Sequence, residues 1–124
     1  MDVLKRTETW FREKDISSPR LEAELLLSHV TGLDRIKLYL NFDRPLSEDE
    51  LHALRPLVAR RGKREPLAWI IGEKGFHNID LFVHPGVFCP RPDTETLVNA
   101  ALEWMSADEE CLYVADVCCG TGAI

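Results

Sequence analysis

Through the first half of the chain, apolar residues recur every three to four positions, which predicts a succession of short amphipathic helices. Val3, Thr7, Trp10, Phe11 and Lys14 keep helical spacing over residues 2–14. Asp15-Ile16-Ser17-Ser18-Pro19 then stops and restarts the chain. Ser18 suits an N-cap, and Pro19 suits the first helical position, where its missing N–H costs nothing. Over residues 19–31, Leu21, Ala23, Leu25, Leu26, Leu27 and Val30 cover more than one face, as expected of the central helix of a bundle. Gly32 is placed to end it in a left-handed conformation. A short helix over 34–41 uses Ile36, Leu38 and Leu40. Ser47-Glu48-Asp49-Glu50 is a capping box whose acids complement the helix dipole, and Leu51, Leu54, Leu57 and Val58 form the stripe that follows. Pro56 interrupts this helix, at a cost of roughly 3 kcal/mol, and predicts a kink or a break and restart.

After Glu65-Pro66 the period changes. Residues 67–72 are apolar and close on Gly72, while 74–77 and 79–84 are rich in aromatic and β-branched residues joined through Asn78. This pattern predicts a β-hairpin. In Phe88-Cys89-Pro90-Arg91-Pro92 two prolines hold the backbone extended around Arg91. A helix follows, with Asp93, Thr94 and Glu95 in its first turn and Leu97, Val98, Ala101, Leu102 and Met105 along it. Two readings of 88–95 stand side by side. One is a rigid linker with good capping chemistry; in the other, Phe88 offers an aromatic face to a ligand while Arg91 and Thr94 offer donors. Asp108-Glu109-Glu110 reads as a solvent turn into a strand over 112–117. Asp116-Val117-Cys118-Cys119-Gly120-Thr121-Gly122 then forms a turn with two glycines, and a helix opens behind it. A strand, a glycine loop and a helix in this order is where nucleotide-like cofactors bind, because glycines admit close backbone approach and helix N–H groups face the ligand.

The 124 residues allow one ordinary domain or two small ones, and 45% hydrophobic with 29% charged residues is a globular composition. No apolar run nears the roughly 20 residues that span a bilayer, and the N-terminus lacks the apolar core of a signal peptide. The net charge of -6 opposes general nucleic-acid binding by phosphate neutralisation. Cys89, Cys111, Cys118 and Cys119 lack the paired spacing of zinc sites, and an adjacent pair is a poor disulfide, so reduced thiols in a cytoplasmic protein are expected. No metal site is expected, and His77 and His84 have no ligand company. Arg55, Arg60, Arg61, Lys63 and Arg64 form a basic cluster. It is either a solvated helix end favoured by the dipole or an electrostatic handle for an acidic partner surface or a phosphate backbone.

Several of these stretches together resemble one family. Ser17-x-Pro19-Arg20-x-x-Ala23-Glu24-x-Leu26-Leu27 and Arg60-Arg61-x-x-x-Glu65-Pro66-Leu67-Ala68-x-Ile70-x-Gly72 are similar to segments of the HemK/PrmC family, the glutamine methyltransferases of class-I peptide release factors. Phe76, Phe82-Val83 and Pro90-Arg91-Pro92-Asp93-Thr94-Glu95-x-Leu97-Val98 match its proline-rich block in order and spacing. Asp116 to Ile124 stands at the family's methyltransferase motif I. Cys118 replaces the first glycine of that loop and Cys119 replaces threonine, so a Cβ sits where a positive φ is costly; the loop is nevertheless expected to keep its shape. Trp69 replaces a smaller Tyr or His.

The resemblance implies a mainly α-helical covered part: an N-terminal bundle over 1–72 that docks the release factor, a hairpin connector over 73–88, and over 89–124 the start of a Rossmann-like α/β domain that binds S-adenosylmethionine. Phe88, Arg91, Thr94, Asp116, Cys118, Cys119, Gly120, Thr121 and Gly122 are the implied cofactor contacts, with Asp116 orienting the loop. The implied reaction moves a methyl group from S-adenosylmethionine to the side-chain amide of the glutamine in the release factor's GGQ loop. The family's catalytic Asn-Pro-Pro-Tyr segment is not in this sequence, so no catalytic residue is expected in it and these residues alone are expected to transfer no methyl groups. Two other functions are consistent with the residues: a non-enzymatic partner-binding module, and an N6-adenine methyltransferase, which the acidic balance and the proline-rich block oppose. No membrane partner and no direct nucleic-acid binding are expected.

Overall fold

A computed structural model describes residues 2–41, 43–106, 113–120 and 122–124. The chain divides into two units, Met1–Ile71 and Gly72–Ile124. The first is helical throughout: α1 Asp2–Glu13, α2 Pro19–Thr31, α3 Arg35–Leu40, α4 Glu48–Gly62 and α5 Leu67–Ile71. α2 touches all four others, as its apolar residues on more than one face require. Phe11, Ile16, Ala23, Leu26, Leu27, Leu54 and Ile70 form the core, and Val3, Trp10, Val30, Leu38, Leu57 and Val58 pack around it half-buried. Each large side chain buried here contributes about 1.5–3 kcal/mol.

The local signals act where they stand. Pro19 opens α2, and Gly32 closes it at φ 67, its N–H donating to the Ser28 carbonyl. Ser18 occupies the N-cap position, but its side chain makes no capping bond. Asp34 caps α3 by accepting from the Lys37 backbone N–H at 2.8 Å. In α4 the capping box is complete, Ser47 Oγ accepting from the Glu50 N–H and Glu50 accepting from the Ser47 N–H.

Two helical expectations need correction. α4 runs unbroken through Pro56, which removes the break and restart from the two expectations and leaves the kink. Pro56 and His52 are both on the solvent face, so the His52 carbonyl that loses its partner turns to water. In α3 only Leu38 packs against the core; Ile36 and Leu40 are 74% and 77% exposed. A six-residue helix presents one narrow face, and these two lie together one turn apart on another.

The second unit holds β1 Glu73–Phe76, β2 Ile79–Phe82 and α6 Pro92–Ser106. The strands pair antiparallel with Glu73 opposite Phe82 and Phe76 opposite Ile79, so the expected hairpin forms with strands over 73–76 and 79–82 rather than 74–77 and 79–84. The two-residue turn is His77-Asn78, with His77 left-handed at φ 52. Beyond β2, the Val83 N–H donates to the Gly72 carbonyl at 2.9 Å. The strand expected over 112–117 and the helix behind it are not formed among the described residues: 113–116 have no ladder partner, 117–118 turn, and 122–124 are not helical. A strand is stabilised by the neighbour it bonds to, and no described segment pairs with this one. Asp108, Glu109, Glu110, Cys111 and Leu112 lie outside the described residues. The α/β opening is thus not seen, whereas the helices and hairpin are.

Candidate functional site: the proline block and the glycine loop

Pro90 and Pro92 set up the first part of the site. Pro90 is buried, Pro92 takes the first position of α6, and between them Arg91 is held outside the helix. Arg91 Nη2 donates to Asp93 Oδ2 at 2.7 Å, an exposed pair two residues apart. The Thr94 N–H donates to the Arg91 carbonyl at 3.0 Å, which starts the helix, and its side chain is half-buried. Phe88 stands 73% exposed ahead of them. From the hairpin, His77 Nε2 meets Asn99 Oδ1 of α6 at 2.9 Å. That contact ties the turn to the helix that carries Thr94.

Asp116, Cys118, Cys119 and Gly120 form an exposed turn, while Thr121 lies outside the described residues. Cys118, Gly120 and Gly122 are all left-handed, at φ 66, 58 and 71, and the Gly122 N–H donates to the Cys119 carbonyl at 2.8 Å. The two glycines are where the backbone needs them. Cys118 takes the same left-handed conformation in spite of its Cβ. A side chain at Gly122 would meet nothing within 4 Å, so the loop faces open space. No hydrogen bond or ion pair among the described residues links 88–94 to 116–122. No group of three or more metal-ligating side chains occurs among them either.

In the helical unit the basic cluster resolves into pairs. Arg60 bonds Glu65, Arg61 bonds Glu22 of α2, and Arg64 Nη1 donates to the Asp15 carbonyl at 3.2 Å. Arg61 therefore fastens α4 to α2, Arg60 holds the segment that follows α4, and Arg64, just past the helix, reaches the segment after α1. The sequence reading missed the polar centre of this unit, Glu24, which is 2% exposed. Arg35 donates twice to Glu24 Oε2, at 2.9 and 2.7 Å, and Arg20 donates to Oε1 at 3.1 Å. The Tyr39 hydroxyl donates to Oε1 and accepts from Arg20. Burial raises the Glu24 carboxyl pKa, but the hydrogen bonds from Tyr39, Arg35 and Arg20 outweigh it and hold the group below its ordinary value. Glu24 and Tyr39 also border an apolar cavity of about 310 Å³ lined by Val3, Leu27, Leu38 and Leu46.

The described residues define a class by their fold alone: a small five-helix domain, followed in the chain by a two-stranded hairpin, a helix that starts on Pro-Arg-Pro, and a turn with left-handed glycines. Residues 2–72 match the family of the PrmC N-terminal domain, and the chain belongs to that family. Among similar proteins are three named release factor glutamine methyltransferase. That of Geobacter sulfurreducens is 47% identical over 98% of this chain, that of Leptospira interrogans 40% over 100%, and that of Rhodopirellula baltica 41% over 100%. The chain spans only 42% to 43% of the length of these three relatives.

Proposed function

We propose that this chain is the N-terminal part of a cytoplasmic methyltransferase that acts on the GGQ glutamine of class-I peptide release factors with S-adenosylmethionine as donor. The observation that carries the reading is the match of residues 2–72 to the PrmC N-terminal domain, together with the similarity of the whole chain to relatives that bear that enzyme name. The helical unit docks the release factor, a role supported by the exposed apolar pair Ile36 and Leu40 on α3. Residues 73–88 connect, and 89–124 open the donor-binding domain.

Donor binding is supported by the left-handed Gly120 and Gly122, where a Cβ would meet at most the Cys118 carbonyl at 3.9 Å, and by the exposed Phe88 ring. When bound, S-adenosylmethionine supplies a methyl group on a sulfonium. In this reading the 118–122 backbone, Thr121 included, holds its methionine end; Phe88, Arg91 and Thr94 flank it, and Asp116 orients the loop. The amide to be methylated is a poor nucleophile because its lone pair is delocalised, so orientation and proximity dominate the rate. The residues that orient it belong to an Asn-Pro-Pro-Tyr segment that this sequence does not contain.

The test offers a release factor, its GGQ-glutamine variant and duplex DNA side by side to the full-length protein with labelled donor. Label in the release factor alone, lost in the variant, is expected; label in DNA would overturn the substrate. The 124 residues by themselves are expected to transfer none.

A further inference from the structure

Cys118 and Cys119 are adjacent, free of any disulfide and on the surface of this 124-residue chain, in a turn apart from the buried core residues. Across their trans peptide the Cα atoms are about 3.8 Å apart, shorter than the roughly 4.4–6.8 Å of unstrained disulfides. A direct sulfur–sulfur bond is therefore disfavoured. A single soft atom placed between the sulfurs enlarges the ring and removes that strain, and thiolates are the protein's softest ligands.

We propose that Cys118 and Cys119 together form a chelating dithiol site for trivalent arsenic compounds. With an aryl arsenoxide, two S–H bonds and the arsenic–oxygen bonding break and two arsenic–sulfur bonds form. The oxygen leaves with both protons as water. Arsenic stays trivalent, so no oxidant or reductant is needed. The site uses the loop's own residues and goes beyond the methyl-donor reading without depending on it.

The experiment treats the full-length protein, with every cysteine other than Cys118 and Cys119 (Cys89 and Cys111 among them) replaced by serine, with phenylarsine oxide and reads intact mass. One adduct per chain is expected. It should survive excess mercaptoethanol and leave with a 1,2-dithiol such as dimercaptopropanol. Cys118→Gly and Cys119→Ser should each lower the mercaptoethanol-resistant fraction at least tenfold. Cys118→Gly relieves a left-handed backbone, so it keeps the loop able to fold, and circular dichroism checks both variants. No adduct in the parent, or an equally resistant adduct in either single variant, overturns the proposal.

Discussion

Glu24 shows how one residue can be both a burial problem and a fastening. An isolated buried carboxylate would be costly, yet two arginines and a tyrosine hydroxyl satisfy it, joining α2 to α3. Both arginines are half-exposed, which screens the pairs. Glu24→Gln is therefore expected to cost about 2 kcal/mol in urea unfolding at neutral pH. Because the folded pKa is depressed, this contribution is present above the unfolded carboxyl value of about 4.3 and disappears as pH falls through the folded pKa. The gap between wild type and variant should close in acid; a gap independent of pH would contradict the charge argument. Gly62 is a second case. It has no left-handed φ, but a Cβ there would lie 2.0 Å from the Trp10 ring. Gly62→Ala is expected to destabilise by about 2 kcal/mol through overpacking, although helix propensity alone favours alanine by about 1 kcal/mol. A rise in melting temperature would show that Trp10 can move aside.

At the scale of the element, α4 is held by its ends and by its partners rather than by its sequence composition. The capping box closes its start, and Arg60 and Arg61 tie its last turn to Glu65 and Glu22. Pro56 is tolerated because the carbonyl it orphans is on the wet face. Pro56→Ala is then expected to raise stability by about 2 kcal/mol, most of the proline penalty of a helix interior. No gain in the urea midpoint would mean that a bend at this position is needed for packing. The element ends were readable in the sequence: Pro19, Gly32 and the Ser47–Glu50 box all act within one turn, through neighbours fixed by chain connectivity. The packing face of α3 was not, since three apolar residues in a six-residue helix do not say which one meets the core. Likewise 112–117 has the composition of a strand, but a ladder needs a second segment to bond to.

At the scale of the whole molecule, seven of the nine buried hydrophobic side chains among the described residues form one cluster before Gly72, and the other two, Phe76 and Val83, belong to the second unit. Residues 1–71 are therefore expected to fold alone, with a cooperative thermal transition by circular dichroism; a gradual, uncooperative loss of signal would count against it. The charge is also unevenly divided. Lys74 and Arg91 are the only lysine and arginine after residue 71, so the net negative charge belongs to the second unit. The argument from overall charge against phosphate binding thus applies to that unit and not to the nearly balanced helical one. The resemblance that named the family covers both units, since it depends on residue identity and order and needs no coordinates.

By itself the sequence determined the starts of α2 and α4, the left-handed Gly32 that ends α2, the presence of the hairpin and the family, all of which are set by local backbone preference or by ordered motifs. Only the tertiary structure decided that Glu24 is the polar hub, that the basic cluster is spent on Glu22, Glu65 and Asp15, and that Gly62 is small to admit Trp10. Each of these depends on which distant residues the packed helices bring within a few ångströms of one another, and hydrophobic periodicity carries no information about that.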